Sequence, residues 1–321
     1  MAGTARELRQ VEVPRSFREL TSAGVTRAVL RGRRWRRTER GFYLPADTMS
    51  DSPGQRIAEA WAAVASGGGV IGGWAAGYLH GAGWLDGRSR DSDGTLAVDG
   101  IGPRRLDRPT VRYRATRVSD DDTCLRYGMR VTTPVRTTFD GARWAPTLSE
   151  AVVFVDAMLT QAAVDPRALL DYCRRHPRMG GVRQARAAIA LGRTGVRSPW
   201  ESILRVCYLH DAGLPEPLLN VPLFDGESFL GQPDLFDPEA AFATEFDGKQ
   251  HRDREQHRKD NVREEKLESA GVTVSRCDSL DLTRHRPQFV ARLQDGYRRG
   301  QARDRSRDRW TRAQPDWWGY R

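Results

Sequence analysis

The stretch from Ser198 to Cys277 limits the possible folds most, because its apolar period switches between helix and strand several times. In "SPWESILRVCYLHDAGLPEP", Ser198 sits at a helix cap, Pro199 in the first turn and Glu201 three residues beyond the cap, the spacing of a capping box. "LLNVPLF", "SFLGQPDLF" and "AAFATEFDG" then read as strands. The charged run from about Asp253 to Ser269 reads as a long helix ending at Gly271, and "VTVSRC" as a further strand. Helix, antiparallel strands, helix and strand together predict an α/β unit with a mixed sheet.

That unit gathers acids in a basic chain. Glu245 and Asp247 flank Phe246, so in a strand they share a face, and Asp234 at the start of the preceding apolar run is placed to join them. Carboxylates on one side of a sheet repel each other unless a hard cation or protons compensate. Magnesium takes oxygen ligands and keeps several waters, which two carboxylates and a backbone carbonyl satisfy. Such an ion polarises a phosphodiester and lowers the pKa of an attacking water, while Lys249 is near enough in sequence to stabilise the developing charge. His251 is a candidate general base, because imidazole titrates near neutrality. The competing reading makes Asp247–Gly248 a turn that caps the next helix, with Glu245 as its solvated neighbour.

The charge of +10 is unevenly placed. Residues 1–44 hold 11 arginines against 4 glutamates, and residues 284–312 hold 10 arginines against 3 aspartates, so each end is +7 and the remainder is −4. All but three of the 52 lysines and arginines are arginine, whose planar fork suits phosphate. Basic flanks around an acidic middle suit a nucleic-acid binder with a metal site, and equally a protein with basic ends alone. The four cysteines form no CxxC pair, which argues against a zinc site and for a reducing compartment. The apolar region from Trp61 to Leu85 is too broken by glycine to span a bilayer. A cytoplasmic protein with no membrane partner is therefore expected.

Residues 1–48 read as helix, turn at Gly24, short second helix with Val25, Ala28 and Val29 on one side, then a hairpin through "WRRTERGFYLP". This is the order of a winged helix-turn-helix. Its second helix would offer Arg27, Arg31, Arg33 and Arg34 to a DNA groove, and its wing Arg36, Arg37 and Arg40. Residues 49–192 read as a mixed middle domain, with helices over "GQRIAEAWAAVA" and "VIGGWAAGYLHGAGWL". Strands follow over "TLAVDG", "TVRYRATRV" and "MRVTTPVRTTFDGA", and then three more helices. Residues 193–295 hold the acidic unit, and 296–321 an arginine- and tryptophan-rich tail that is expected to dock on the body.

Residues 198 to about 282 resemble the PD-(D/E)XK endonuclease superfamily, in particular the branch related to very-short-patch-repair (Vsr-like) nucleases. The carriers are "SPWESILRVCYLHDAGLPEP", "GQPDLFD", "ATEFDGKQH" and "DNVREEKLESAGVTVSRC". The resemblance implies a restriction-endonuclease-like domain with a central mixed sheet and metal-dependent phosphodiester hydrolysis. It makes Glu201 the helix-borne acid and Asp234 and Glu245 the acids of the two motif strands. Asp247 and Gly248 fall in the branch's E-x-D-G signature, with His251, Asp260 and Arg263 as further candidates. The superfamily's usual lysine, two residues after the glutamate, is replaced here by Asp247, and Lys249 stands two positions later.

Residues 1 to about 190 resemble the N-terminal part of AbiEi-like antitoxins of type IV toxin–antitoxin systems, through "GVTRAVLRGRRWRRTERGFYLP", the "VIGGWAAGYLHGAGWL" segment and "MRVTTPVRTTFDGA". That resemblance implies a DNA-binding winged helix. The combined expectation is an α+β chain acting as an Mg²⁺-dependent (Mn²⁺ as substitute) DNA endonuclease or nickase on double-stranded DNA, with RNA ranked lower. The alternative is a transcriptional regulator or antitoxin whose nuclease fold has lost turnover. The residues name neither a toxin partner nor an oligomeric state.

Overall fold

Local capping explains where most helices begin. The structure is a computed structural model that describes residues 6–49, 51–90, 92, 94–103, 109–248 and 254–320, with the backbone alone for 254–261 and 320. The chain is a mixed α+β protein in two compact units, 1–193 and 194–321.

In the first unit, strand β1 (Arg15–Ser16) runs into helix α1 (Phe17–Ser22) through a complete capping box. The Glu19 N–H donates to Ser16 Oγ at 3.2 Å, and the Ser16 N–H donates to Glu19 Oε2 at 2.6 Å. Gly24 turns the chain at φ +85° into α2 (Arg27–Leu30), capped by Thr26. Strands β2 (Trp35–Glu39) and β3 (Phe42–Pro45) complete an antiparallel three-stranded sheet in the order β1-β3-β2. The core residue of α2 is Leu30; Ala28 and Val29 face solvent, contrary to the expected apolar side. A four-residue helix has room for one inward position, and the longest apolar side chain takes it.

Helix α3 (Pro53–Ser66) buries Ile57, Ala60 and Val64. The "VIGGWAAGYL" segment is not one helix. Val70–Gly72 form β4, and only Gly73–Leu79 are helical (α4). Gly73 makes this junction at φ +54°, and a Cβ there would lie 2.1 Å from Asp99 Oδ2, so both conformation and space require glycine. Strands β5 (Val98–Gly102), β6 (Val111–Ala115), β7 (Thr123–Arg126) and β8 (Met129–Thr132) join β4 in a mixed sheet of order β6-β5-β4-β8-β7. "PVRTTFDGA", expected to continue as strand, is instead helix α5 (Pro134–Trp144). Thr133 caps it and Pro134 takes its first turn, so the local start signal outweighs the β-branched residues that follow. Helices α6 (Leu148–Gln161), α7 (Pro166–Arg175) and α8 (Val182–Leu191) pack with α5, and Ala151 to Leu159 of α6 are buried throughout.

The second unit opens with α9 (Pro199–Val206), which widens into a π turn over Cys207–Asp211. Strands β9 (Leu218–Leu219), β12 (Leu235–Asp237), β13 (Phe242–Phe246) and β14 (Thr273–Cys277) form a sheet of order β14-β13-β12-β9. β13 pairs parallel with β14 and antiparallel with β12. β10 (Leu223–Asp225) and β11 (Ser228–Gly231) make a separate hairpin, so "SFLGQPDLF" supplies two strands and not one. Helices α10 (Arg254–Ser269), α11 (Ser279–Thr283) and α12 (Arg286–Gln301) complete the unit. One core face joins Leu223, Leu230, Phe236, Ala243, Leu267 and Val272. On the other face Phe242 meets Tyr208 and Tyr297.

Helix α12 runs past position 296, where the tail was expected to begin, and its Gly300 packs on Ala240. Beyond it the chain docks on its own unit. Thr311 and Phe224 exchange both backbone hydrogen bonds (2.8 and 2.9 Å), Trp310 meets Phe236 at 4.9 Å, and Trp318 stacks on Phe229 at 5.1 Å. Among the described residues no helix is long and apolar enough to cross a membrane.

Candidate active site

One layer of the second unit turns from apolar to charged at matching positions in four elements. Phe236 of β12 is in the core and Asp234, in the bend just before that strand, precedes it by two; on β13, Ala243 is in the core and Glu245 follows by two. On β14, Val274 packs on that core and Arg276 follows by two; on α10, Leu267 is in the core and Arg263 lies one turn earlier. Residues two apart in a strand or four apart in a helix share a face. The layer Phe236, Ala243, Val274, Leu267 therefore continues into Asp234, Glu245, Arg276, Arg263. The register agrees: Ala243 stands opposite Val274, and Glu245 opposite Arg276.

These four charged residues, with Gln232, Phe246 and Asp247, line a cavity of about 170 Å³. Among the described residues three carboxylates thus face two guanidiniums. Glu245 is 6% exposed, and its Oε2 accepts from Arg263 Nη2 at 2.7 Å; Arg276 Nε lies 3.6 Å from the same oxygen. Arg276 also holds Glu264 at 3.2 Å. Asp234 Oδ2 accepts from the Phe246 N–H at 2.8 Å. Burial pushes the Asp234 carboxyl up to about 7; the Phe246 hydrogen bond opposes this, Glu201 and Glu245 add to it, and Arg263 opposes it. A buried acid that holds its proton near neutrality beside two other carboxylates is compatible with a cation site.

Glu201 lies outside the cavity lining. Its N–H donates to Ser198 Oγ at 3.2 Å, as the cap spacing predicts. Its carboxylate Oε2 accepts from the Arg197 N–H at 2.9 Å and from Asn220 Nδ2 at 3.0 Å, bonds the sequence spacing does not foretell. Asn220, at φ +49°, also donates its backbone N–H to Asp234 O at 3.1 Å and accepts from Gln232 Nε2. Asn220 therefore ties the helix-borne acid to the bend that holds Asp234 at the start of β12. The Asp247 N–H donates to Cys277 O at 2.7 Å, fixing the chain where it leaves β13. Trp200 stacks on Phe246 at 5.0 Å with the rings nearly parallel.

Asp234, Glu245 and Asp247 are thus brought together and Glu201 is held beside them. Lys249 and His251 lie outside the described residues, as does the side chain of Asp260. Sequence reasoning missed Arg276, Gln232 and Asn220. Arg276 follows Val274 at strand period and Gln232 precedes Asp234 at the same period, so both were detectable by extending the alternation; Asn220 acts through a backbone conformation that its neighbours do not signal.

The donor set suits magnesium: hard carboxylate oxygens from β13 and from the bend entering β12, beside a cavity with room for water. Asp234 and Glu245 are the residues that would hold the ion. Among the described residues no group of three or more His, Cys, Asp or Glu side chains is arranged to hold a metal.

In the first unit, Arg27, Arg31, Arg33, Arg34, Arg37 and Arg40 are exposed. Arg27, Arg31 and Arg37 line a groove of about 470 Å³ with Phe17, Leu30 and Tyr43, and Arg27 lies over the Phe17 ring. Arg36 differs from the expected set. Both its terminal nitrogens bond Glu59, at 3.0 and 2.8 Å, which raises its pKa and commits it to α3. Comparison with protein-family models, with curated proteins and with solved structures finds no match to this chain.

Proposed function

We propose that the second unit is a PD-(D/E)XK-type domain that hydrolyses DNA phosphodiester bonds with Mg²⁺, Mn²⁺ serving as a substitute. Asp234 and Glu245 hold the ion, Asp247 and Glu201 support it, and Arg263 and Arg276 face the phosphate. The observation that carries this reading is the cavity where acids at the start of β12 and the end of β13 meet guanidiniums from α10 and β14. A bound magnesium ion would supply Lewis acidity at the scissile phosphate and a lowered pKa for the attacking water. The protein's own part is placement: Asn220 and Phe246 orient Asp234, and two guanidiniums attract a dianionic transition state. Lys249 and His251 are assigned charge stabilisation and proton transfer. The first unit's basic segment acts as a winged helix that positions the duplex through exposed arginines.

Cleavage of supercoiled plasmid tests this. Wild type with Mg²⁺ or Mn²⁺ should nick or cut, and Glu245→Gln should lose at least roughly a hundredfold of the rate, the loss expected when an essential ligand goes. The variant should still bind duplex in a gel shift. A second reading, a DNA-binding regulator or antitoxin with a degenerate nuclease fold, draws on the Arg263–Glu245 pair at 2.7 Å, which supplies the counter-charge from within. Wild type that never cleaves yet shifts a promoter fragment would favour it.

A further inference from the structure

Arg263 is aimed at Glu245 by its packing, and it has a donor to spare. Its stem crosses β11 at Gly231, where a Cβ would sit 3.3 Å from Arg263 Cγ and Cδ and 3.5 Å from Leu267 Cδ1. A Cβ at 231 would press that stem back by a few tenths of an ångström. At its far end Nη2 bonds Glu245, while Nε is buried without a hydrogen-bond partner among the described residues. A buried guanidinium N–H left without an acceptor is costly, and phosphate oxygens meet the same fork that carboxylate oxygens do. Arg276, by contrast, is anchored by Glu264.

We infer that Arg263 is an exchangeable counter-ion. It neutralises Glu245 while the cavity lacks a cation, and it passes to a phosphodiester oxygen when a divalent cation takes Glu245. This rests on the metal-site reading above. Two consequences follow from sharing one carboxylate. Arg263 and the cation compete for Glu245, so removing the arginine's charge tightens metal binding. A phosphodiester that draws Arg263 away also tightens metal binding, and by reciprocity the metal tightens phosphodiester binding. The coupling lies in the binding steps, so it is visible without turnover.

The test is calorimetric titration of the full chain with Mn²⁺, with and without diethyl phosphate, a diester with no duplex to read. Wild type should bind Mn²⁺ several-fold more tightly when diethyl phosphate is present. Arg263→Gln should bind Mn²⁺ roughly tenfold more tightly than wild type without the diester, the effect of deleting one adjacent positive charge in a partly solvated site. It should gain nothing further from the diester. Arg263→Lys, which keeps the charge, should stay close to wild type without diester and guards against misfolding as the cause. Unchanged or weaker Mn²⁺ binding by Arg263→Gln overturns the counter-ion role and leaves the metal site standing. Retained Mn²⁺ binding by Glu245→Gln overturns it as well, because the ion then does not use that carboxylate. No Mn²⁺ binding by any of these proteins overturns both the counter-ion role and the metal reading.

Discussion

Each unit of this protein buries a cluster of acids and arginines, and the two clusters differ in how their charges are answered. In the first unit, Arg136 is 2% exposed and Asp140 fully buried. Arg136 Nε donates to Asp140 at 2.7 Å, and Nη1 to Asp122 at 3.0 Å and to Tyr172 Oη at 3.2 Å. Arg143 closes the other side of Asp140 at 2.7 Å, and the Tyr172 hydroxyl donates to Asp122 at 2.9 Å. Two guanidiniums meet two carboxylates, and His176 stacks on Tyr172 at 4.1 Å over the cluster. In the second unit, among the described residues, three carboxylates and two guanidiniums line a cavity, and Asp234 takes a proton near neutrality. A closed, charge-matched network fixes a fold. The second lines a cavity, and a cation there is the proposal made above.

The sharpest way to break that contrast is to cut the closed network. Asp140→Ala leaves Arg136 and Arg143 buried with a partner missing, and should cost about 3–5 kcal/mol in urea unfolding of the intact chain. A cost below about 1 kcal/mol would show that the network is not what holds α5.

Asp234→Asn should move stability the other way. The folded pKa of about 7 lies above the ordinary value of 3.8, so the folded chain keeps a proton that the unfolded chain releases between those values. Stability contributed by this group is therefore full below the lower value and declines as pH rises through about 7. Asparagine is neutral throughout. The variant should be about 2 kcal/mol more stable than wild type near pH 8, less than the full linkage value because water and neighbouring charges readjust, and the gap should close near pH 4. A gap independent of pH would remove the claim that burial keeps Asp234 protonated near neutrality.

The smallest effects should separate two kinds of arginine in the N-terminal segment. Arg36→Ala loses the Glu59 pair and should cost about 0.5–1 kcal/mol of stability, with little change in DNA affinity. Arg31→Ala should leave stability unchanged and lower the salt dependence of duplex binding by about one counter-ion. Fluorescence anisotropy at several salt concentrations reads the second, and equal slopes for both variants would deny the basic segment its role.

Local signals in the chain were readable where they are decided locally. Ser198 with Pro199 opens the helix its spacing predicts, and the three helices expected at the end of the middle domain form as α6, α7 and α8. The failures occur where a short segment satisfies two periods. "VRTTFDGA" carries β-branched residues yet follows a Thr-Pro start, and the cap wins. Glu201 carries the right spacing for a capping box, but Arg197 and Asn220 claim its carboxylate. Asn220 is unreadable in advance because its role depends on three segments meeting.

By itself the sequence determined which residues could gather: the period of two placed Asp234, Glu245 and Arg276 on particular faces, and the period of about four put Arg263 with Leu267. Only the tertiary structure decided that these faces are one face, since that depends on β13 pairing parallel with β14 and antiparallel with β12 while α10 covers the layer. It also decided how the charge is apportioned. Pairing and protonation depend on separations of a few ångströms and on burial, and neither distance nor burial is written in residue order.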